Sequence, residues 1–149
     1  MNFLRALPAL VLALPLWAQT PGLEEIVQGG GEIALDGLVH RFEPSTVTTL
    51  PDLVRLTGRL VPPEPDRAFD FELALKKDGT LQRLQILRQA PGGYPDTWAA
   101  TGKTRIRFRV LEDRSGGRVE IICAGPLTGV VGRQPKHALW KGLLWVVLP

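Results

Sequence analysis

The sequence predicts an all-β protein: a small antiparallel β-sandwich or partly open β-barrel of about eight short strands, with one or two short helical turns. Three observations carry that expectation. Beyond Gly31 the apolar residues recur at every second position, most clearly in Phe69-Asp-Phe-Glu-Leu-Ala-Leu-Lys76. Turn dipeptides separate these stretches, with Asp78-Gly79 the strongest and Asp36-Gly37 a second. A hydrophobic content of 44% beside 22% charged residues supports a packed core, and 149 residues are too few for two ordinary domains.

The chain divides into residues 1–18, read as a secretory signal peptide, a flexible lead-in over 19–31, and a single β domain over 32–149. Met1 to Arg5 supplies a short positive start, Ala6 to Trp17 an apolar run of twelve, and Ala18 a small residue before polar Gln19-Thr20. Cleavage after Ala18 would send the chain to a bacterial periplasm, a cell envelope or the extracellular space. The run is short for a membrane helix, which needs about 20 apolar residues, and Pro8 and Pro15 disfavour one. No cysteine lies near the junction to carry a lipid, and there is no twin arginine. The triple glycine Gly29–Gly31 reads as part of the lead-in, because a phosphate-binding loop would also need Gly-Lys-Ser/Thr and a following helix.

Along the domain, Asp36-Gly37 joins a strand at Glu32–Leu35 to one at Leu38–Phe42, and Val54–Leu60 forms another. Across Asp78-Gly79, a two-residue turn makes Lys77 face Thr80. It then sets Phe71 against Ile86 and Leu73 against Leu84 on one face, and Asp70 against Leu87, Glu72 against Gln85 and Ala74 against Arg83 on the other. Residues 89–103 read as a long connection in which Asp96 to Thr101 makes one capped helical turn. A second hairpin runs from Thr104 to about Ala124 with Asp113–Gly117 at its tip. An even loop sets Phe108 against Cys123 and Val110 against Ile121, with Arg105, Arg107 and Arg109 together on the opposite face. In that register Glu120 lies diagonal to Arg109, and Asp113 faces Arg118. Leu127–Val131 and Leu143–Leu148 complete the strands, and Lys136–Leu143 is either a short helix or a strand bent at Lys141-Gly142.

The residue inventory narrows the chemistry. The net charge is +3, but residues 19–100 carry 8 basic and 12 acidic side chains whereas 101–149 carry 9 basic and 3 acidic. Cys123 stands alone, so there is no internal disulfide, and its alternation with Ile121 makes it an inert core thiol. After residue 18 there is no Asn and no Met, and over the whole chain Arg outnumbers Lys 13 to 5, a composition that suits a thermophile or a GC-rich source. Ser45 and Ser115 lie outside any nucleophile pattern, and His40 and His137 are too isolated to suggest metal ligands. No catalytic residue, metal or cofactor is expected.

Two groups of side chains remain as candidate sites. Tyr94, Asp96 and Trp98 form an aromatic pair around a carboxylate, suited to a sugar or a peptide, although the aromatics would equally plug one end of a barrel. Arg105, Arg107 and Arg109 recur at every second residue, about 6.6 Å apart along a strand, and suit a polyanion; an ordinary solvated strand face explains them as well. The expected function is an exported, non-catalytic binding or structural module, with a cell-envelope polymer or envelope protein as partner. The alternatives are a polyanion-binding domain using the arginine face, and an envelope carbohydrate hydrolase using two of Glu43, Asp52, Glu64, Asp66, Asp70, Glu72 and Asp96. A third is a subunit of a larger surface assembly, where an unpaired edge strand or the apolar C-terminus docks a partner.

Overall fold

The structure, a computed structural model, describes residues 26–149; the expected signal peptide and most of the lead-in lie outside the described residues. Nine strands follow one another: β1 Gly29–Leu35, β2 Leu38–Thr49, β3 Leu53–Val61, β4 Phe69–Lys76, β5 Leu81–Arg88, β6 Asp96–Ala100, β7 Arg105–Leu111, β8 Arg118–Val131 and β9 Gln134–Val147. All pairings are antiparallel. The order β6-β5-β4-β3-β2-β1-β9-β8-β7, with β6 also paired to β8, closes eight strands into a barrel and leaves β7 as an extra strand. β9 occupies one edge of β8 along its whole length, so β6 and β7 share the other edge end to end, against Leu127–Val130 and Val119–Ala124 respectively. The barrel form of the expected all-β fold is therefore the one adopted, and closure removes most of the sheet edges.

The inward side chains are those in phase with the alternation. Ile33, Phe42, Leu56, Phe71, Leu73, Ile86, Ile121, Cys123, Trp140 and Leu144 are all 2% exposed or less. Phe71 meets Phe42 edge-on, with ring centroids 5.4 Å apart. Burial pushes the Cys123 thiol up to about 12, so at neutral pH it is a protonated core residue.

The β4–β5 hairpin keeps the faces read from the sequence, and β7–β8 keeps them only as far as its bulge, by a device the sequence did not reveal. In β4–β5 the pairs Phe71–Ile86, Leu73–Leu84, Glu72–Gln85 and Ala74–Arg83 all form. The turn, however, holds three residues, because the Lys76 amide donates to the Thr80 carbonyl at 2.9 Å, so Lys77 does not face Thr80. An odd loop would reverse every side chain, and the extra residue Gln82 of a β-bulge, between Arg83 opposite Ala74 and Leu81 opposite Leu75, restores the phase. In β7–β8 the pairs are Ile106–Cys123 and Phe108–Ile121, two residues from those expected. The Glu112 amide donates to the Arg118 carbonyl at 3.0 Å across a five-residue tip, and a bulge at Arg109 again corrects the odd count. Val110, expected inward against Ile121, is turned by that bulge to pair with Glu120, and Leu111 opposite Val119 packs on the core in its place. Asp113 consequently pairs with Lys77 (2.5 Å) and not with Arg118, which goes to Glu120 (2.6 Å).

Two local expectations are corrected, and one left open between helix and strand is resolved as strand. Asp96–Thr101 is not a helical turn: Asp96–Ala100 is β6, and the Asp96 carboxylate accepts hydrogen bonds from neighbouring elements instead of capping its own. Lys136–Leu143 lies wholly within β9, where Ala138 and Trp140 point inward and Leu139 outward; the single short helix among the described residues is a 3-10 turn at Pro65–Arg67. Gly29–Gly31, expected in the lead-in, opens β1 opposite Leu144–Val146. Gly31 has φ 130°, and a Cβ there would sit 2.1 Å from the Leu143 carbonyl oxygen, so glycine is what lets this strand approach. The two-residue turns are Asp36-Gly37, as expected, and Gly132-Arg133, with positive φ at both positions of each.

Candidate ligand site at the barrel mouth

At one end of the barrel lie the β1–β2 turn, the β3–β4 loop, the β5–β6 loop and the β8–β9 turn. They surround a cavity of about 280 Å³. Its apolar wall comes from Leu35, Leu38, Phe69, Trp98 and Val131, with Pro62 and Pro63 from the loop after β3. Each wall side chain on a strand is there because its position is in phase with the core. Three polar side chains share that phase or adjoin it: His40, Arg88 and, behind Arg88, Asp96.

Arg88 lies over the Phe69 ring, 4.4 Å from its centroid. Its Nε and Nη2 donate to Asp96 Oδ2 at 3.2 and 2.6 Å, and its Nη1 donates to the Arg67 carbonyl at 3.2 Å. The other carboxylate oxygen, Oδ1, accepts from the Gly132 amide at 2.9 Å. Burial works to raise the Asp96 carboxyl, but the hydrogen bonds from Arg88 and Gly132 outweigh it and hold the group below its ordinary range. The ion pair therefore stays charged and ties β5, β6 and the β8–β9 turn together. Arg88 has five N–H donors, of which these contacts use three, on a side chain that lines the cavity.

His40 is 3% exposed and tilted against Phe69, ring centroids 5.8 Å apart. Its Nδ1 donates to the Leu38 carbonyl at 2.9 Å, which fixes the Nδ1–H tautomer. Burial, reinforced by the Arg88 charge, pushes the imidazole below its usual value, so it is neutral at pH 7. At the rim, Lys136 pairs with Asp36 at 2.6 Å and Arg67 with Glu64 at 3.7 Å. Every cation of the wall thus faces a carboxylate, and the cavity offers apolar surface and hydrogen-bond donors without net charge.

The side chains singled out in the sequence are distributed unevenly. Trp98 lines the cavity from inside and Asp96 holds the Arg88 of its wall, so these two belong to one site. Tyr94 is 61% exposed, outside the cavity, with the Arg133 guanidinium 4.2 Å above its ring. Arg105, Arg107 and Arg109 stand exposed on β7, against the half of β8 farther from the mouth, with Arg109 3.5 Å from Glu120. Of the carboxylates, Glu72 is held on the outer surface by Arg55 and Arg83, and Glu43 by Arg41. Among the described residues no cluster of three or more His, Cys, Asp or Glu is arranged to hold a metal ion, and no helix is long and apolar enough to cross a membrane. His40, Phe69 and Arg88 were not singled out, although a signal existed: His40 is in phase with Phe42, and Arg88 with Ile86, so each places a polar group on the core side. Compared with protein-family models, with curated proteins and with solved structures, the chain matches none.

Proposed function

We propose that the protein is an exported, non-catalytic binding module of a bacterial periplasm or cell envelope, and that its barrel mouth holds one small, uncharged, mainly apolar molecule bearing a hydrogen-bond acceptor. The observation that carries this reading is Arg88: a guanidinium neutralised by buried Asp96, with donors to spare, in the wall of a cavity whose other charged side chains are paired at the rim. A buried polar network of this kind is costly to build and adds nothing to packing that an apolar residue would not supply. Eight strands enclose an interior that side chains fill or that admits a single small ligand. At about 280 Å³ the cavity falls just under the lower end of ligand sites, which run from about 300 to 1,000 Å³. Export rests on the pattern of residues 1–18 alone. The hydrolase alternative draws no comparable support: the general acid of such an enzyme needs a raised carboxyl, and Asp96 is held low.

Prodan, an uncharged naphthalene carrying one ketone, is a suitable probe. Its fluorescence should shift to the blue and saturate on titration, and Val131→Trp, which fills the mouth, should abolish the shift while the circular dichroism spectrum stays that of the parent. Failure to saturate, or an unchanged titration in Val131→Trp, would overturn the reading. Fractionation of the source cells tests export separately, because full-length protein beginning at Met1 in the cytosol would remove it.

A further inference from the structure

We propose that the free edge of β7 takes up an extended segment of a partner protein in which apolar and acidic residues alternate. The barrel wall is complete only in the half next to the mouth. There β6 pairs with β5 from Ile86 to Arg88 and with β8 from Leu127 to Val130. Toward the other end the chain leaves β5: β7 continues along β8, but no ladder joins β7 to Leu81–Gln85 of β5 among the described residues. Leu81–Gln85 of β5 and the outer edge of β7 therefore each carry backbone N–H and C=O groups that no ladder pairs. At the far end this breach is bridged by the Lys77–Asp113 ion pair, between the β4–β5 turn and the β7–β8 tip.

The side chains bordering the breach define what fits it. Leu81 and Leu84 of β5, and Phe108 and Leu111 of β7, are only partly buried and pack on the core from its edge. On the outer surface of β7, Arg105 and Arg107 are exposed and no carboxylate lies within ion-pair distance of either among the described residues, whereas Arg109 has Glu120. A strand presents alternate side chains to opposite faces. An incoming strand on β7 would therefore set one row of residues against Phe108 and Leu111 and the other row beside Arg105 and Arg107. Apolar residues suit the first row and carboxylates the second, and the main chain supplies the hydrogen bonds common to strand addition. A nucleic acid or sulfated polysaccharide would meet the arginines but leave both backbone edges and the apolar row unused.

The probe is a ten-residue peptide alternating Val and Glu, labelled for fluorescence anisotropy. It should bind saturably, and its counterpart alternating Val and Lys should bind about tenfold more weakly or not at all. The double variant Arg105→Glu with Arg107→Glu should reverse that preference. N-methylation of alternate amides of the Val/Glu peptide on the edge that meets β7, tested in both phases, should abolish binding in one phase with no change to the protein. The proposal is overturned if the Val/Glu peptide does not bind. It is equally overturned if both methylated forms bind as well as the parent, or if heparin binds through Arg105 and Arg107 where the peptide does not. Val131→Trp, which blocks the mouth, should leave peptide binding unchanged, so the two sites stand or fall separately.

Discussion

The mouth of the barrel and the outer surface of β7 both display arginine on a strand, with opposite consequences. Arg88 is in phase with Ile86, so its guanidinium is carried toward the interior, where it is stacked on Phe69, bonded to Asp96 and held by the Arg67 carbonyl. Arg107 is one residue out of phase with Ile106 and Phe108, so its guanidinium is carried to solvent, where no carboxylate among the described residues pairs with it. A single step in phase decides whether the same residue type is a fixed structural group or a free charge. Fixed groups are expensive to disturb and free ones are not.

The largest effect should therefore come from Asp96→Ala. That change strips Arg88 of its counter-ion and leaves the Gly132 amide without its acceptor, and breaking a buried pair in this way costs about 3–5 kcal/mol. Urea unfolding should show it as a lower midpoint with little change in slope. A loss under about 1 kcal/mol would mean that water replaces the carboxylate and that the wall is not rigid. Gly31→Ala should rank second, at about 1–3 kcal/mol, because the new Cβ meets the Leu143 carbonyl in a backbone conformation that L residues avoid.

That second variant also marks where the sequence was legible and where it was not. Alternation identified which face of β4, β5 and β8 is buried, and of β7 as far as Phe108, because one slipped residue would exchange core for surface along an entire strand; beyond the bulge it misplaced Val110. Alternation says nothing about how many residues a loop holds, provided a bulge repairs the count, so Gln82 and Arg109 went unseen. Gly29–Gly31 has no side chain to alternate, and its strand character comes entirely from β9. Half of the site shares this problem. Trp98 and Asp96 stood out as unusual residues in a long connection, but the cavity exists only where four separate turns converge. Arg88 and His40 acquire their roles from Asp96 and Leu38, partners that local pattern does not connect to them.

A smaller effect should appear as pH dependence, and it belongs to the mouth alone. His40 has its imidazole pushed below the ordinary 6.5 by burial and by the Arg88 charge. The unfolded chain therefore binds the proton more readily than the folded one. This group's contribution to stability is complete above pH 6.5 and is lost as pH falls through that value toward the folded-state value. The thermal unfolding midpoint of the parent should fall between pH 7 and pH 5, and His40→Gln should flatten the curve over that interval. An identical slope in the variant would place the titration elsewhere.

The smallest effect is the most diagnostic for the contrast between the two arginines. Arg107→Ala removes a charge that has no carboxylate partner among the described residues and no buried contact to lose, so unfolding should change by no more than about 0.5 kcal/mol. The same variant should weaken the Val/Glu peptide measurably, because a group that contributes little to the fold remains available to a partner. A larger loss of stability with unchanged peptide binding would reverse the assignment. Arg107 would then be holding β7 against β8, and the row of arginines would belong to the architecture of the extra strand.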